Sequence, residues 1–296
     1  MLKRPLSKSE YGPFIINSYS TVDSTNDMLM QAAREGAKSG TVVFAHGQTA
    51  GKGSKGRSFY SPFRSGMYLS ILIRPGYTVN ANVHASGEAI CPELTPEQAL
   101  LITPAVACAV AFAIQEYSYD RVGIKWVNDI MITGKKVCGI LTESGVDDSG
   151  DRFYVIGIGI NLAPPKDGFP EEFADKTTTL FDKEPGTEMI TLLDDILGFT
   201  CYILKNTLTD RKFLEYYRKM SVILGRDVLV TPLDGSEPYY AKAVEIDDNA
   251  RLVVENEAGE RITLNSEDVQ IAMRNYPQPA RRFHVSRKQD ELDDGD

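Results

Sequence analysis

The order of apolar and polar residues over the first three quarters of the chain predicts strands interspersed with helices. Residues 41–45 are an apolar, β-branched run that predicts a buried strand. Residues 66–74 alternate and predict a second strand with an apolar face made by Met67, Leu69, Ile71 and Ile73. Capping residues at 23–26 precede a helical apolar pattern that Gly36 ends. A capping box at 95–98 predicts a long Ala-rich helix to about residue 117, kinked or restarted at Pro104.

Further elements follow with the same mixed character. We predict strands near 121–126, 129–133, 136–143 and 152–160, with a hairpin turn at Thr133-Gly134, and helices at about 187–206 and 209–221. After Gly225 the pattern changes to short strands at 226–232, 239–246, 250–255, 261–265 and 268–273, which is typical of a small all-β barrel. The predicted organisation is α+β, with an N-terminal extension (1–17), a large mixed-sheet domain (18–222), a C-terminal barrel (223–273) and a flexible tail (274–296).

Composition and charge limit the possible functions. The chain has 296 residues, 42% of them hydrophobic and 25% charged, which is typical of a globular protein. Its net charge of −9 disfavours a broad surface for DNA or an anionic membrane. We expect no membrane span and no signal peptide, because no apolar run approaches the length of about 20 residues that a span needs.

Cysteine and histidine usage also argues against several chemistries. The four cysteines show no CxxC spacing, so we expect buried free thiols in a cytoplasmic protein. The three histidines are scattered, which disfavours a zinc site, and the GxSxG motif of a hydrolase is missing.

A glycine-rich loop carries the most informative chemistry. Residues 46–62 read HGQTAGKGSKGRSFYSP, and a strand rather than a helix is predicted to follow, so the dinucleotide-binding interpretation of GxGxxG fails. The spacing does not fit a Walker A loop either. Lys52, Lys55 and Arg57 lie within six residues in an acidic chain, and glycines let the backbone approach an anion. Phosphate or carboxylate binding is therefore favoured over a solvated basic turn.

Three later segments are compatible with the same chemistry. Residues 123–129 read GIKWVND, residues 136–143 read KVCGILTE, and residues 157–161 read GIGIN. Taken singly, Lys125 and Lys136 are better explained as surface charges, and the glycines are equally well explained by close packing within a sheet.

Taken together, the motifs resemble the biotin protein ligases. They occur in the order DSTN (23–26), QTAGKGSKGRSFYSP (48–62), KWVND (125–129), KVCGIL (136–141) and GIGIN (157–161). The resemblance spans roughly residues 18–270. It implies a catalytic domain of the biotin/lipoate ligase type with a C-terminal SH3-like barrel. It further implies formation of biotinyl-5′-AMP from biotin and Mg-ATP, followed by transfer of biotin to a lysine of a biotin carboxyl carrier protein.

The resemblance also implies roles for individual residues. Lys136, Arg57 and Asp129 would be catalytic: Lys136 would bridge the biotin carboxylate and the α-phosphate, Arg57 would bind phosphate, and Asp129 would orient the acceptor lysine or Mg²⁺. The expected binding residues for biotin and ATP are Ser24, Thr25, Asn26, Gln48, Gly51, Lys52, Gly53, Ser54, Asn128, Gly139 and Asn161, together with Lys136.

The chain departs from the family pattern in three places. Phe59 and Val127 stand where the family usually has Trp and Pro, and Ser54 replaces the second arginine of GRGRxGR. Residues 1–17 are too few for the DNA-binding domain of the larger members, so we expect a ligase that does not bind DNA, as a monomer or homodimer. A ligase for lipoate or another acyl acid, and a biotin-binding regulator without turnover, are the alternatives.

Overall fold

A computed structural model describes residues 14–77 and 89–273. The helices are α1 (Thr25–Arg34), α2 (Pro96–Ala99), α3 (Ile102–Gln115), α4 (Glu171–Ala174), α5 (Glu188–Asn206) and α6 (Phe213–Met220). The strands are β1 (Ile15–Tyr19), β2 (Thr41–Ala45), β3 (Gly66–Ile73), β4 (Val122–Lys125), β5 (Asp129–Ile132), β6 (Lys135–Val146), β7 (Arg152–Asn161), β8 (Asp227–Pro232), β9 (Tyr239–Ile246), β10 (Leu252–Glu255), β11 (Arg261–Leu264) and β12 (Val269–Met273). The predicted tail at 274–296 lies outside the described residues.

The first seven strands form one mixed sheet in the order β1-β2-β3-β7-β6-β5-β4. Only the β1–β2 pair in this sheet is parallel. The structure confirms β3 and its predicted apolar face, and it shows that the other face is buried as well, because all eight residues of the strand are buried. Met67 and Leu69 pack into the core that contains α3, while Leu72 packs with Leu29 of α1 on the other face. The alternation of residue types along β3 identified only the face toward α3. It could not show that α1 covers the opposite face of the strand.

The predicted long helix is two helices. The capping box of Thr95 and Gln98 is present, but α2 ends at Ala99 and α3 begins at Ile102. Pro104 therefore lies in the first turn of α3. Backbone N–H groups there have no partner within the helix, so a proline costs no helical hydrogen bond at this position. Taken together, residues 96–115 are long and apolar enough to cross a membrane by length and composition alone, but 67% of their most apolar window is buried inside the structure. That burial is typical of a core helix.

The structure adds two elements that the sequence analysis did not predict. Strand β1 begins at Ile15, within the predicted N-terminal extension, and α4 lies in a stretch left unassigned. All four cysteines are buried and free, as predicted.

The five C-terminal strands form a separate antiparallel sheet in the order β11-β10-β9-β8-β12, consistent with an SH3-like fold. Trp126 links this sheet to the larger one, because its indole N–H donates to the Ala250 carbonyl at 2.8 Å. Arg218 adds a second link by donating to the Ile246 carbonyl at 2.7 Å. The peptide bond between Trp126 and Val127 is cis. The only tryptophan thus anchors the C-terminal sheet.

Candidate active site

The predicted motifs surround one cavity of about 870 Å³. It lies between the N-terminus of α1, the glycine-rich loop, and strands β5, β6 and β7. All but one of the predicted site residues line it: Ser24, Thr25, Asn26, Gln48, Lys52, Gly53, Ser54, Arg57, Asn128, Asp129, Lys136, Gly139 and Asn161. The exception is Gly51, which packs against its own loop, where a Cβ atom would come within 2.4 Å of Ser61 Oγ and 2.6 Å of the Phe59 carbonyl oxygen.

The N-terminus of α1 forms one end of the cavity. Ser24 is the N-cap and accepts the backbone N–H of Asp27, as the capping pattern predicted. The Thr25 backbone N–H donates to Gln48 Oε1 at 2.8 Å. Asn26 reaches across the sheet and donates from Nδ2 to Glu143 at 2.8 Å. These polar side chains are buried, so their hydrogen bonds fix them in place.

The glycine-rich loop folds back on itself and continues into β3, with no helix directly after it, as the sequence analysis expected. The Phe59 N–H donates to the Gly51 carbonyl at 2.8 Å, and the Gly53 N–H donates to the Arg57 carbonyl at 2.7 Å. Between them Ser54–Gly56 make a single 3₁₀ turn. Lys55 and Gly56 have φ values of 61° and 72°, and the second suits glycine.

The three cations of this loop have different partners. Lys52 pairs with Asp27, and Lys55 donates to the Val269 carbonyl at the start of β12. Arg57 turns back on its own loop, where its Nη2 donates to Ser54 Oγ at 2.9 Å and its Nε donates to the Ser54 carbonyl at 3.1 Å. In this arrangement Ser54 orients Arg57.

A second group of charges lies on β4, β5 and β6. Lys136 Nζ is 2.5 Å from Asp129 Oδ1, and Lys125 stands opposite Asp129 in the β4–β5 register. Burial disfavours ionised Asp129, but Lys136 and Lys125 outweigh it, and the pKa of Asp129 falls below its ordinary value. Burial lowers the pKa of Lys125; Asp129 opposes this shift, whereas Lys136 and Arg57 add to it. One carboxylate therefore lies among several cations in a cavity suited to anions.

Small residues on β6 and β7 make room for the Phe59 ring. A Cβ atom at Gly159 would come within 2.7 Å of that ring, and one at Gly139 within 2.8 Å of Lys136 Nζ. Lys136 Nζ lies 5.6 Å from the ring centroid, within range of a cation–π contact. Phe59 thus supplies the aromatic wall expected where the family usually has Trp.

Asn128 and Asn161, the other two predicted asparagines, are placed differently in the site. Asn128 donates from Nδ2 to the Ile140 carbonyl at 2.6 Å, which ties the start of β5 to β6. Asn161, at the end of β7, is buried and lines the cavity. Direct contact of either amide with a nucleotide stays a prediction.

Several residues that line the cavity were left open or missed by the sequence analysis. Lys125 is one of them: its sequence context alone favoured a surface position, but the structure places it in the lining of the cavity. The segment around α4 supplies another wall, and its Phe169 ring lies 6.3 Å from that of Tyr60 in the glycine-rich loop. Pro170, followed by two acidic residues, is a helix-start signal that could have located this segment. Ala272 and Met273 of β12 complete the lining.

Comparison with known proteins identifies the family. A model of the biotin/lipoate A/B protein ligase family matches residues 18–161. The bifunctional ligase/repressor BirA of Bacillus spizizenii is 30% identical over 249 residues, which are 80% of this chain and 68% of that protein. The chain belongs to the biotin/lipoate protein ligase family.

A second relative supports the family assignment, and a solved structure shows the same fold. The biotin–[acetyl-CoA-carboxylase] ligase of Mycobacterium tuberculosis is 30% identical over 252 residues, or 83% of this chain and 85% of that ligase. The biotin protein ligase from Aquifex aeolicus, solved with biotin and ATP, has the same fold, with a TM-score of 0.66 and 24% identity over 88% of this chain and 99% of that one.

We predict that ligand binding slows hydrogen exchange in residues 46–60. Three like charges lie close together in a glycine-rich segment, so a bound anion should stabilise the loop beyond the Lys52–Asp27 and Lys55–Val269 contacts. Hydrogen exchange measured by mass spectrometry, with and without biotin, tests this, and peptides covering β10 and β11, which do not line the cavity, provide the internal reference. Equal exchange in both states would mean that the loop is already in its final state without ligand.

Proposed function

We propose that this chain is an ATP-dependent biotin protein ligase that forms biotinyl-5′-AMP and transfers biotin to a lysine of a biotin carboxyl carrier protein. The observation that carries the proposal is the group of Lys136, Asp129 and Lys125 facing Arg57 of the glycine-rich loop across one cavity. Family membership supplies the reaction class, and the cavity supplies the charges that such a reaction needs.

In the first step a carboxylate oxygen of biotin attacks the α-phosphorus of ATP. A new O–P bond forms, the bond to the bridging oxygen breaks, and pyrophosphate leaves. Two anions must approach each other, so cations held in fixed positions lower the barrier most. Lys136 is suited to bridge the two reacting groups because Asp129 holds it beside the Phe59 ring. Arg57 is suited to bind phosphate once it turns away from Ser54.

In the second step the amine of the carrier lysine attacks the acyl carbon of biotinyl-5′-AMP. The neutral amine forms an amide bond as the bond between the acyl carbon and the AMP phosphate oxygen breaks, AMP leaves, and the proton released from the amine passes to solvent water. Asp129 is the carboxylate nearest to Lys136, and its lowered pKa keeps it ionised to attract the incoming ammonium group. We propose that the polar end of the cavity, at Ser24, Thr25 and Gln48, holds the ureido ring of biotin.

Mg²⁺ would enter with ATP. This ion is usually bound by one or two carboxylates together with substrate phosphates, and Asp129, Glu172 and Asp175 line the cavity. Among residues 14–77 and 89–273 no group of three or more His, Cys, Asp or Glu side chains is suited to a metal ion. These residues therefore fit an ion delivered with the nucleotide better than a resident metal. When bound, it would screen the phosphate charge during the attack.

The decisive experiment mixes the full chain with biotin, ATP, Mg²⁺ and a biotin carboxyl carrier domain, then measures the mass of the carrier. We expect the mass to increase by one biotinyl group only when all components are present. An ATP–pyrophosphate exchange assay with biotin or lipoate as the acid separates the proposed function from that of another acyl-acid ligase. Biotin binding without exchange would indicate a regulator that does not turn over.

We also expect no specific DNA binding at physiological salt, because the net charge of −9 disfavours contact with phosphates. A gel-shift assay with the operator DNA of a biotin operon tests this. A sequence-specific shift at low protein concentration would contradict the prediction and relate this chain to the bifunctional relatives.

A further inference from the structure

The turn between β4 and β5 separates two charged residues of the candidate site. Lys125 ends β4 and Asp129 begins β5, and the two are paired in the register of these strands. Only residues 126–128 connect them, so a small shift of the turn would move the Asp129 carboxylate relative to Lys125 and to Lys136. The arrangement of charges in the site therefore depends on how firmly this turn is held.

Each residue of the turn is held by a hydrogen bond to a different part of the fold. The Trp126 indole N–H donates to the C-terminal sheet at 2.8 Å. Asn128 donates from Nδ2 to the Ile140 carbonyl of β6 at 2.6 Å, and its own carbonyl accepts the Ile140 N–H at 3.0 Å. Val127 is held through its main-chain carbonyl, which accepts the Tyr217 hydroxyl of α6 at 2.9 Å. The contact with Tyr217 is thus the one that fixes the middle of the turn.

Tyr217 can position its partner because it is itself fixed. Its side chain is fully buried. The next residue, Arg218, donates to the Ile246 carbonyl of the C-terminal sheet at 2.7 Å. Just after α6 the Val222 N–H donates to the Ile124 carbonyl of β4 at 3.0 Å. The helix that carries Tyr217 is therefore bound both to the C-terminal sheet and to the strand that leads into the turn.

The direction of the bond between Tyr217 and Val127 is defined. A carbonyl oxygen only accepts, so the tyrosine hydroxyl donates. Burial raises the pKa of Tyr217 well above its ordinary value, and the hydroxyl therefore keeps its hydrogen at neutral pH. The Val127 carbonyl and the Asn128 N–H belong to one planar peptide unit. Holding that carbonyl consequently fixes the orientation of the residue that precedes Asp129.

We propose that Tyr217 is a positioning residue for the proposed reaction. It does not line the cavity, and it acts through the peptide unit between Val127 and Asn128 to set where Asp129 stands relative to the two neighbouring lysines. The proposal rests on the proposed function, since it assigns these charges to the adenylation of biotin. Loss of the hydroxyl should slow that reaction and leave biotin affinity unchanged, because the proposed biotin-binding end of the cavity lies on α1 and the glycine-rich loop.

The test compares Tyr217→Phe with Tyr117→Phe in the full chain. Both substitutions keep the ring and remove a hydroxyl that donates at 2.9 Å, to the Val127 carbonyl and to Asp195 Oδ2 respectively. Tyr117 does not line the cavity, so it provides the matched control. We expect Tyr217→Phe to lower the rate of ATP–pyrophosphate exchange at saturating biotin and ATP by about tenfold or more, because small displacements of reacting groups are costly. Tyr117→Phe should exchange at the rate of the unmodified chain.

Two further measurements separate positioning from stability. Both variants should unfold at a lower urea concentration than the unmodified chain, because each has lost a hydrogen bond. The Kd for biotin, measured by isothermal titration, should be the same in all three chains. The effect of Tyr217→Phe should therefore lie in the rate at saturation and not in biotin affinity.

The possible outcomes are distinguishable. Equal exchange rates for the two variants would overturn the role of Tyr217 and leave the proposed function intact, as would a weaker biotin affinity in Tyr217→Phe, since that would show a general change of the cavity. No exchange by the unmodified chain would instead overturn the proposed function. If Tyr217→Phe does not fold, para-aminophenylalanine at this position keeps the ring and a weaker donor. We then expect slower exchange at an unchanged Kd for biotin, and a rate equal to that of the unmodified chain would contradict the proposal.

Discussion

Replacement of Lys136 by alanine is expected to reduce the rate of biotin adenylation by at least about 10- to 100-fold. The ammonium group would make a charge-assisted contact that strengthens as the carboxylate and the α-phosphate approach each other, and such a contact contributes about 1.5–3 kcal/mol or more. Pyrophosphate release in the presence of biotin and ATP measures the effect. We expect the variant to fold, because Asp129 loses the charge of Lys136 but still has the positive charge of Lys125 opposite it in the β4–β5 register.

The neighbouring lysine provides the control. Lys135 is adjacent to Lys136 on β6, and successive side chains of a strand point to opposite faces, so Lys135→Ala should leave adenylation unchanged. Circular dichroism of both variants checks that they are folded. Near-normal pyrophosphate release by folded Lys136→Ala would remove Lys136 from the proposed mechanism.

Much of the fold could be predicted because its signals are local. The five C-terminal strands have bounds within one or two residues of the predicted ones, since turn residues with special backbone angles separate them. The capping box of α2 and the N-cap of α1 were likewise readable from a few adjacent residues. A break in the Ala-rich helix was predicted at Pro104 but lies before Ile102, because proline is tolerated in the first turn of a helix.

The residues of the candidate site also fall into two groups: those with a local sequence signal, and those whose contacts depend on how the chain folds. The glycine-rich loop and Lys136 were recognisable from residue types and their order, and the structure brings them to one cavity. The hydrogen bonds of buried Ser70 to Thr25 and Asn26 could not be predicted, because a serine within the apolar run of β3 carries no local signal and the contacts depend on α1 packing across that strand. Lys125 remained ambiguous for the same reason, since burial is a property of the fold and not of the residue type.

Ser54→Arg is expected to slow the loss of biotinyl-5′-AMP from the enzyme and to reduce biotinylation of an unrelated bystander protein, each by about 10- to 100-fold. An arginine offers a planar, permanently charged group to phosphate and acyl oxygens, whereas serine has one neutral hydroxyl on a short arm. In this structure that hydroxyl accepts from Arg57. The chain with Ser54 should therefore hold its intermediate less firmly than relatives with arginine at this position.

The alternative is that a neighbouring lysine takes the place of the missing arginine. The contacts of the loop argue against it, because Lys52 pairs with Asp27 and Lys55 donates to the Val269 carbonyl, so both would have to leave a partner to reach the intermediate. The experiment compares adenylate release and bystander labelling for the unmodified chain, Ser54→Arg and Ser236→Arg. The last of these adds the same charge in an exposed turn of the C-terminal sheet and should behave as the unmodified chain does. Identical release rates for all three would show that a lysine does substitute and that Ser54 causes no leak.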